Sequence, residues 1–355
     1  MNALAPVLLE PVFPSRDLSF AGHAFPSLIL EAGESAVRRF VEFFTANIRN
    51  PNTREAYARA VSQFLAWCEA RGFHLRDLNP VLVSAYIEEL PTRTDSERLA
   101  KREHRNGKPF LVTVRTGPLS APAVKQHLAA IRMLFDWLVV GQVVPFNPAA
   151  SVRGPKHIVK KGKTHVLSAE DARTLLDSID TGNVVGLRDR ALIGVMVYSF
   201  ARVGAVVRMR VSDYYQNGRR CWFRLHEKGG KFHEVPAHHS AEEYLDAYLV
   251  AAGIEAAKAS PLFRSTVGRT RKLTENGMTR SDVLRMVKRR ALDAAISISA
   301  CCHTFRATGI TAYLSNGGTI EKAQAIAAHE SPRTTKLYDR TQDPITLDEI
   351  EKVRI

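Results

Sequence analysis

Two stretches near the C-terminus decide the reading: Cys302-His303-Thr304-Phe305-Arg306 and Ala327-Ala328-His329-Glu330-Ser331-Pro332-Arg333-Thr334-Thr335-Lys336-Leu337-Tyr338-Asp339. The first holds the chain's only His-x-x-Arg. Alone it is weak, since about one such match arises by chance in a chain this rich in arginine. Its weight comes from what surrounds it. His329 lies 26 residues after His303, and Tyr338 nine after His329. Upstream, Ala201-Arg202-Val203-Gly204 follows a strongly apolar run, Leu187–Phe200. Lys228 opens Lys228-Gly229-Gly230-Lys231, flanked by the β-favouring segments Cys221–Glu227 and Phe232–Pro236, which reads as a β-hairpin.

Working outward, the chain is basic. Its 355 residues carry a net charge of +14. The excess is uneven: +3 over residues 1–150 and +11 over residues 151–355. A basic C-terminal half suggests a polyanion partner, nucleic acid first. No apolar run of membrane-spanning length occurs, and the N-terminus lacks the basic start of a secretory signal. The four cysteines form no Cys-x-x-Cys, so reduced thiols in a cytoplasmic protein are expected. There is no phosphate loop, no Gly-x-Gly-x-x-Gly and no His-Glu-x-x-His. The basic half also lacks the clustered carboxylates of a Mg²⁺ site, so neither metal nor cofactor is expected.

Length favours two domains. Residues 1–35 hold four prolines and little periodicity, which reads as an arm. Residues 36–145 read as a helical domain. Thr53 is a plausible cap for a helix Arg54–Arg71 whose face is Tyr57, Val61, Phe64, Leu65 and Cys68, with Gly72 closing it. Residues 91–119, rich in Arg, Lys, Thr and Gly, read as an exposed inserted loop. Ser120 then caps a long helix with the stripe Val124, Leu128, Ile131, Phe135 and Leu138. Lys125 and Arg132, seven apart, share a face beside that stripe and are candidates for phosphate contact. Residues 146–165 read as a basic linker, in which Lys156 and Lys163 are further candidates. Residues 166–355 form the second domain, opened by a helix with Asp171 three residues after a Ser168 cap.

The ordered set Arg202, Lys228, His303, Arg306, His329, Tyr338 resembles that of the tyrosine recombinases of the phage-integrase family, of the kind carried by plasmids and transposable elements. The match runs ungapped over His303–Arg340 and is much weaker over residues 36–145. Three positions depart from the family pattern. Phe200 stands where a small residue is common. Ala205 replaces an acidic residue three after Arg202, removing a partner that could orient it. Ala328 replaces the glycine before the third motif's histidine.

The resemblance implies a mainly α fold with a small antiparallel β-sheet: a helical core-binding domain and a catalytic domain clamping double-stranded DNA. It implies strand cleavage through a 3′-phosphotyrosine on Tyr338, no metal or nucleotide cofactor, and a homotetramer on paired sites. A C-terminal segment around Ile345–Ile350 would dock on a neighbouring protomer. The residue types suit that chemistry. Arg202 and Arg306 can grip the non-bridging oxygens bidentately, the two histidines can donate hydrogen bonds or take the tyrosine proton, and Lys228 can protonate the leaving oxygen. Lys231 competes for the last role, and Tyr214 and Tyr215 are rival nucleophiles by residue type only. A type IB topoisomerase and a non-catalytic DNA-binding protein of the same fold are the alternatives.

Overall fold

The structure is a computed structural model, and it describes residues 19–20, 23–94, 96–103, 109–157, 164–227, 232–268, 270–296 and 300–339. The chain divides into two compact units, residues 1–158 and 159–355.

In the first unit a short antiparallel pair, β1 (Ser19–Phe20) and β2 (His23–Ala24), precedes α1 (Ser27–Glu31), α2 (Glu34–Glu42) and a π-helical turn, Phe43–Asn47. Then come α3 (Pro51–Glu69), α4 (Pro80–Glu89), the hairpin β3 (Ser96–Glu103) and β4 (Pro109–Thr116), and α5 (Ala121–Val140). Helix α3 begins earlier than the Thr53 cap suggests. Asn50 Oδ1 accepts from the backbone N–H groups of Asn52 (3.0 Å) and Thr53 (3.3 Å), and Pro51 fills the first position, where no N–H is needed. The same pairing recurs at α4 with Asn79 and Pro80. The stripes of α3 and α5 pack into one core with Phe40, Phe43, Phe44 and Tyr86.

The inserted loop expected at residues 91–119 is instead largely a two-stranded hairpin, paired from Ser96↔Thr116 to Glu103↔Pro109. Phe110-Leu111-Val112-Thr113-Val114 supplies the β-branched and aromatic run, and strand pairing outweighs the surrounding charged residues. The core of this unit also reaches past residue 145, because Ala149 and Val152 are buried in it.

The second unit comprises α6 (Ala169–Asp177), α7 (Val184–Tyr198), α8 (Val203–Val206), the sheet strands β5 (Tyr214–Asn217), β6 (Arg220–His226) and β7 (Phe232–Pro236), and α9 (His239–Ala252). It continues with a second antiparallel pair, β8 (Arg264–Thr266) and β9 (Leu273–Gly277), then α10 (Arg280–Asp293), α11 (Cys302–Ser315), α12 (Ile320–Ala327) and α13 (Pro332–Lys336). The three-stranded sheet has the order β5-β6-β7, antiparallel throughout. Ser168 caps α6 by accepting from the Asp171 N–H at 2.9 Å. A fully buried Asp189 on α7 binds Arg188 and, from α10, Arg290 at 2.8 Å, so a satisfied buried charge joins the two helices. Among the described residues no helix is long and apolar enough to cross a membrane.

Helices α7 and α11 form the centre of this unit. Their close approach depends on Gly309, where a Cβ would lie 2.0 Å from the Val197 carbonyl oxygen and 2.8 Å from the Phe200 ring. Gly309→Ala is therefore expected to destabilise the protein by roughly 3 kcal/mol, measured as a lowered urea midpoint.

Candidate active site

Arg306 is the structural hub of the site. It sits on α11 with 2% of its surface exposed. Its Nη1 donates to the Phe200 carbonyl and its Nη2 to the Ala327 carbonyl at 2.6 Å. One side chain thereby ties together the end of α7, the end of α12 and its own helix. Burial, then the neighbouring Arg202 charge, lowers its pKa to about 10, while Tyr338 and Glu227 oppose the shift. It stays charged at neutral pH, and Tyr338 is near enough to favour its charged form.

Two of the sequence departures find their physical place around this hub. Phe200 adopts a left-handed backbone, with φ of 54°, and its carbonyl serves Arg306. Its ring packs among Ile310, Leu314, Ala323 and Ala327. Where a small residue is common, a bulky one thus fills a hydrophobic pocket at the cost of a strained backbone. Ala328 ends α12 with φ of 46° and ψ of 49°, the left-handed cap for which glycine is suited.

Arg202 precedes α8, and its Nη1 donates to Glu227 Oε2 at 2.7 Å. Ala205 is buried in the core and offers no carboxylate, but Arg202 is not left unheld: its partner comes from the end of β6. That end is itself anchored. His226 Nε2 pairs with Asp213 at 3.0 Å, and Arg208 donates to the His226 carbonyl. On β7, His233 Nε2 donates to the Ile326 carbonyl at 2.8 Å. Lys228 and Lys231 lie outside the described residues.

His303 stands in the first turn of α11, exposed at the outer edge of the site. Partial desolvation, then the charges of Arg306 and Arg202, hold its pKa below the usual value. His329 is buried, and its pKa is lowered to about 4 by burial and then by the same two guanidiniums. Its Nδ1 is 2.9 Å from Thr335 Oγ1. Its ring stacks on that of Tyr338, with centroids 5.9 Å apart and planes 6° apart. The Tyr338 backbone is fixed too, its carbonyl accepting from Thr311 Oγ1 at 3.0 Å. Arg202, His303, Arg306, His329 and Tyr338 thus come together. Glu227, Thr335 and Thr311 join them unannounced by any motif, although Glu227 is adjacent to Lys228 in sequence.

The remaining candidates are placed differently. Tyr214 donates to Asp246 at 2.9 Å and is buried, and Tyr215 lies under the Arg224 guanidinium, so both belong to the sheet. His238 accepts from the Ser240 N–H and stacks on Tyr198. Among the described residues no cluster of His, Cys, Asp and Glu could hold a metal ion. In the first unit Lys125 is exposed, whereas Arg132 donates to the carbonyls of Ala149 (3.2 Å) and Val152 (2.6 Å). Those bonds give Arg132 a role in its own unit's fold. Lys156 is exposed, and Lys163 lies outside the described residues.

The family model described as "Phage integrase family" matches residues 165–344, just over half of the 355. The chain belongs to the phage integrase family. Tyrosine recombinase XerD of Listeria innocua is 26% identical over 259 residues, covering 72% of this chain and 82% of that protein. XerD of Corynebacterium glutamicum is 25% identical over 308 residues, covering 85% and 90%. Among solved structures, XerH recombinase in a post-cleavage complex with a palindromic difH substrate superposes with a TM-score of 0.65 at 16% identity, covering 92% of this chain and 96% of that one. A lambda integrase dimer bound to a core site gives 0.60 at 18% identity, covering 88% and 79%. At such identities the structural likeness speaks for the fold: mainly helical, with small antiparallel sheets. The activity is that of a site-specific tyrosine recombinase.

Two measurements check the site's physical chemistry. Ala328→Gly relieves the left-handed strain and is expected to raise stability by about 1 kcal/mol, read as a higher denaturation midpoint. The His329 imidazole is expected to titrate near pH 4 by NMR rather than near 6.5. The sign follows from linkage: between those values the unfolded chain binds the extra proton. Stability from a neutral His329 is therefore present above pH 6.5 and declines as pH falls toward 4.

Proposed function

We propose that this family member breaks and rejoins duplex DNA at specific sites with Tyr338 as the nucleophile. The observation that carries the assignment is the gathering of Tyr338 with His329, stacked on its ring, and with the buried, charged Arg306, whose charged form the tyrosine favours. Arg202 and Arg306 take the two non-bridging oxygens of the scissile phosphate, where negative charge grows in the pentavalent transition state. Arg306 keeps part of its donor set on two carbonyls, so its reach is fixed before DNA arrives.

The two imidazoles are held below their usual pKa and so are neutral at neutral pH. One receives the tyrosine proton and the other hydrogen-bonds the phosphate. Because His329 Nδ1 faces Thr335, its Nε2 is the atom turned to the reaction. The phenoxide oxygen bonds to phosphorus, the bond to the 5′ oxygen breaks, and Lys228 supplies that oxygen's proton. The products are a 3′-phosphotyrosine and a free 5′-hydroxyl. Attack by the 5′-hydroxyl of a partner strand reverses the steps, so no nucleotide cofactor is consumed.

The first unit contributes a second DNA-contacting surface, with Lys125 and Lys156 as phosphate ligands supplying affinity rather than sequence choice. Each unit contributes its own contacts to the duplex. Lambda integrase has been solved as a tetramer on a Holliday junction and the Tn1549 transposon integrase with circular-intermediate DNA. By analogy this chain acts as a homotetramer on paired sites of a mobile element, in the cytoplasm.

Tyr338→Phe is expected to keep DNA affinity within about twofold while forming no covalent protein–DNA complex, since affinity rests on many basic groups and the chemistry on one oxygen. Denaturing gels of wild type and variant, with a library of DNA flanking the encoding gene, read both the complex and the cleavage position. A Phe variant that still traps DNA would remove Tyr338 from the role. Unspecific relaxation of supercoiled DNA by the wild type would point to a topoisomerase instead.

A further inference from the structure

We propose that Glu227 is the positioning residue of Arg202, holding its guanidinium toward the scissile phosphate from the base of the Lys228 hairpin. The inference rests on Arg202 being a phosphate ligand, as proposed above, and adds a residue that the motif set does not contain.

The geometry supports it in three ways. First, Glu227 Oε2 takes one Nη of Arg202 at 2.7 Å. A guanidinium has five N–H donors in a fixed plane, so a carboxylate on one side orients the others without consuming them. Second, the pair is asymmetric in burial. The Glu227 side chain is 8% exposed and that of Arg202 38%. The holder is sunk into the protein while the held group opens toward its ligand. Third, the holder is itself braced. The preceding residue, His226, is gripped through its ring by Asp213 and through its carbonyl by Arg208.

The sequence supplies the reason for this route. Ala205, on α8 itself, is 1% exposed and packed into the hydrophobic core. A carboxylate there would have to displace core side chains. The acid therefore arrives from the sheet, and it does so on the residue directly before Lys228. The contact ties Arg202 to the end of β6, one residue before Lys228 in the sequence.

The same contact has an opposite reading: the carboxylate could occupy the position of a phosphate oxygen and hold Arg202 away from DNA. The experiment separates the two. Full-length Glu227→Gln, Arg202→Ala and wild type are compared on one duplex carrying the cleavage position mapped by the covalent-complex assay. The scissile phosphate is ordinary, or a neutral methylphosphonate, or carries sulfur at the 5′-bridging position. The rate of covalent complex formation is the readout, with duplex affinity measured alongside.

Glu227→Gln should slow cleavage of the ordinary phosphate by about tenfold or more, short of the hundredfold or more expected when a charge-stabilising donor is lost outright. On the methylphosphonate, which carries less charge for Arg202 to meet, the variant should approach the wild-type rate on that same substrate. Sulfur should give no rescue, because a better leaving group does not replace a misplaced guanidinium. Unchanged or faster cleavage of the ordinary phosphate would overturn the proposal, the faster case establishing the blocking role. Equal loss on all three substrates would show a general structural role, and rescue by sulfur would show that Glu227 acts through Lys228. Wild type that forms no covalent complex, or Arg202→Ala that cleaves normally, would instead defeat the underlying reading of the site.

Discussion

The buried guanidinium of Arg306 is the constraint on which the site depends. A fully enclosed cation is tolerable only when its donors are satisfied, and two carbonyls satisfy it, those of Phe200 and Ala327. To present them, α7 must end in a left-handed turn at Phe200 and α12 must end just before a left-handed Ala328. These two ends lead directly into Arg202 and His329. The placements of Arg202 and His329 therefore follow from solving one burial problem. The same cation, with Arg202, adds to desolvation in keeping both histidines neutral.

Strain and compensation around this hub account for the chain's departures from its family. At Phe200 and Ala328 the backbone is left-handed although neither residue is glycine, so each position carries a conformational cost of about 1–2 kcal/mol. Packing offsets it at Phe200, whose ring fills a small cluster of its own. At Ala328 no comparable packing accompanies the strain. At Ala205 the lost function moves elsewhere: the carboxylate reappears at Glu227, on another element. Residue identity at a motif position is thus less constrained than the backbone shape or charge the position must deliver.

The gathering of Arg202, His303, Arg306, His329 and Tyr338, the residues proposed for catalysis, was legible because their spacing is unusual and their residue types share one chemical purpose. Helix stripes such as Val124, Leu128, Ile131, Phe135 and Leu138 were equally clear, since burial imposes a period that a single sequence displays. Boundaries were less so. Asn50 and Thr53 are both good caps and Pro51 is compatible with either; the bonds that Asn50 Oδ1 accepts from the Asn52 and Thr53 N–H groups decide, and a sequence does not display them. The hairpin of residues 96–116 was hidden because strand pairing is non-local, whereas its charged composition is visible at once. Glu227, Thr335 and Thr311 were not legible at all. Their roles depend on folding across 25, 6 and 27 residues respectively, and no local pattern marks an ordinary Glu or Thr as a second partner.

The central claim is that the Tyr338 hydroxyl is the atom that joins protein to DNA. The most direct measurement is mass spectrometry of the covalent complex after exhaustive nuclease and protease digestion. The account predicts a single adduct, a nucleotide attached through its 3′-phosphate to Tyr338, with a free 5′-hydroxyl on the released strand. An adduct on Tyr214, Tyr215 or a serine, or one attached through a 5′-phosphate, would contradict it.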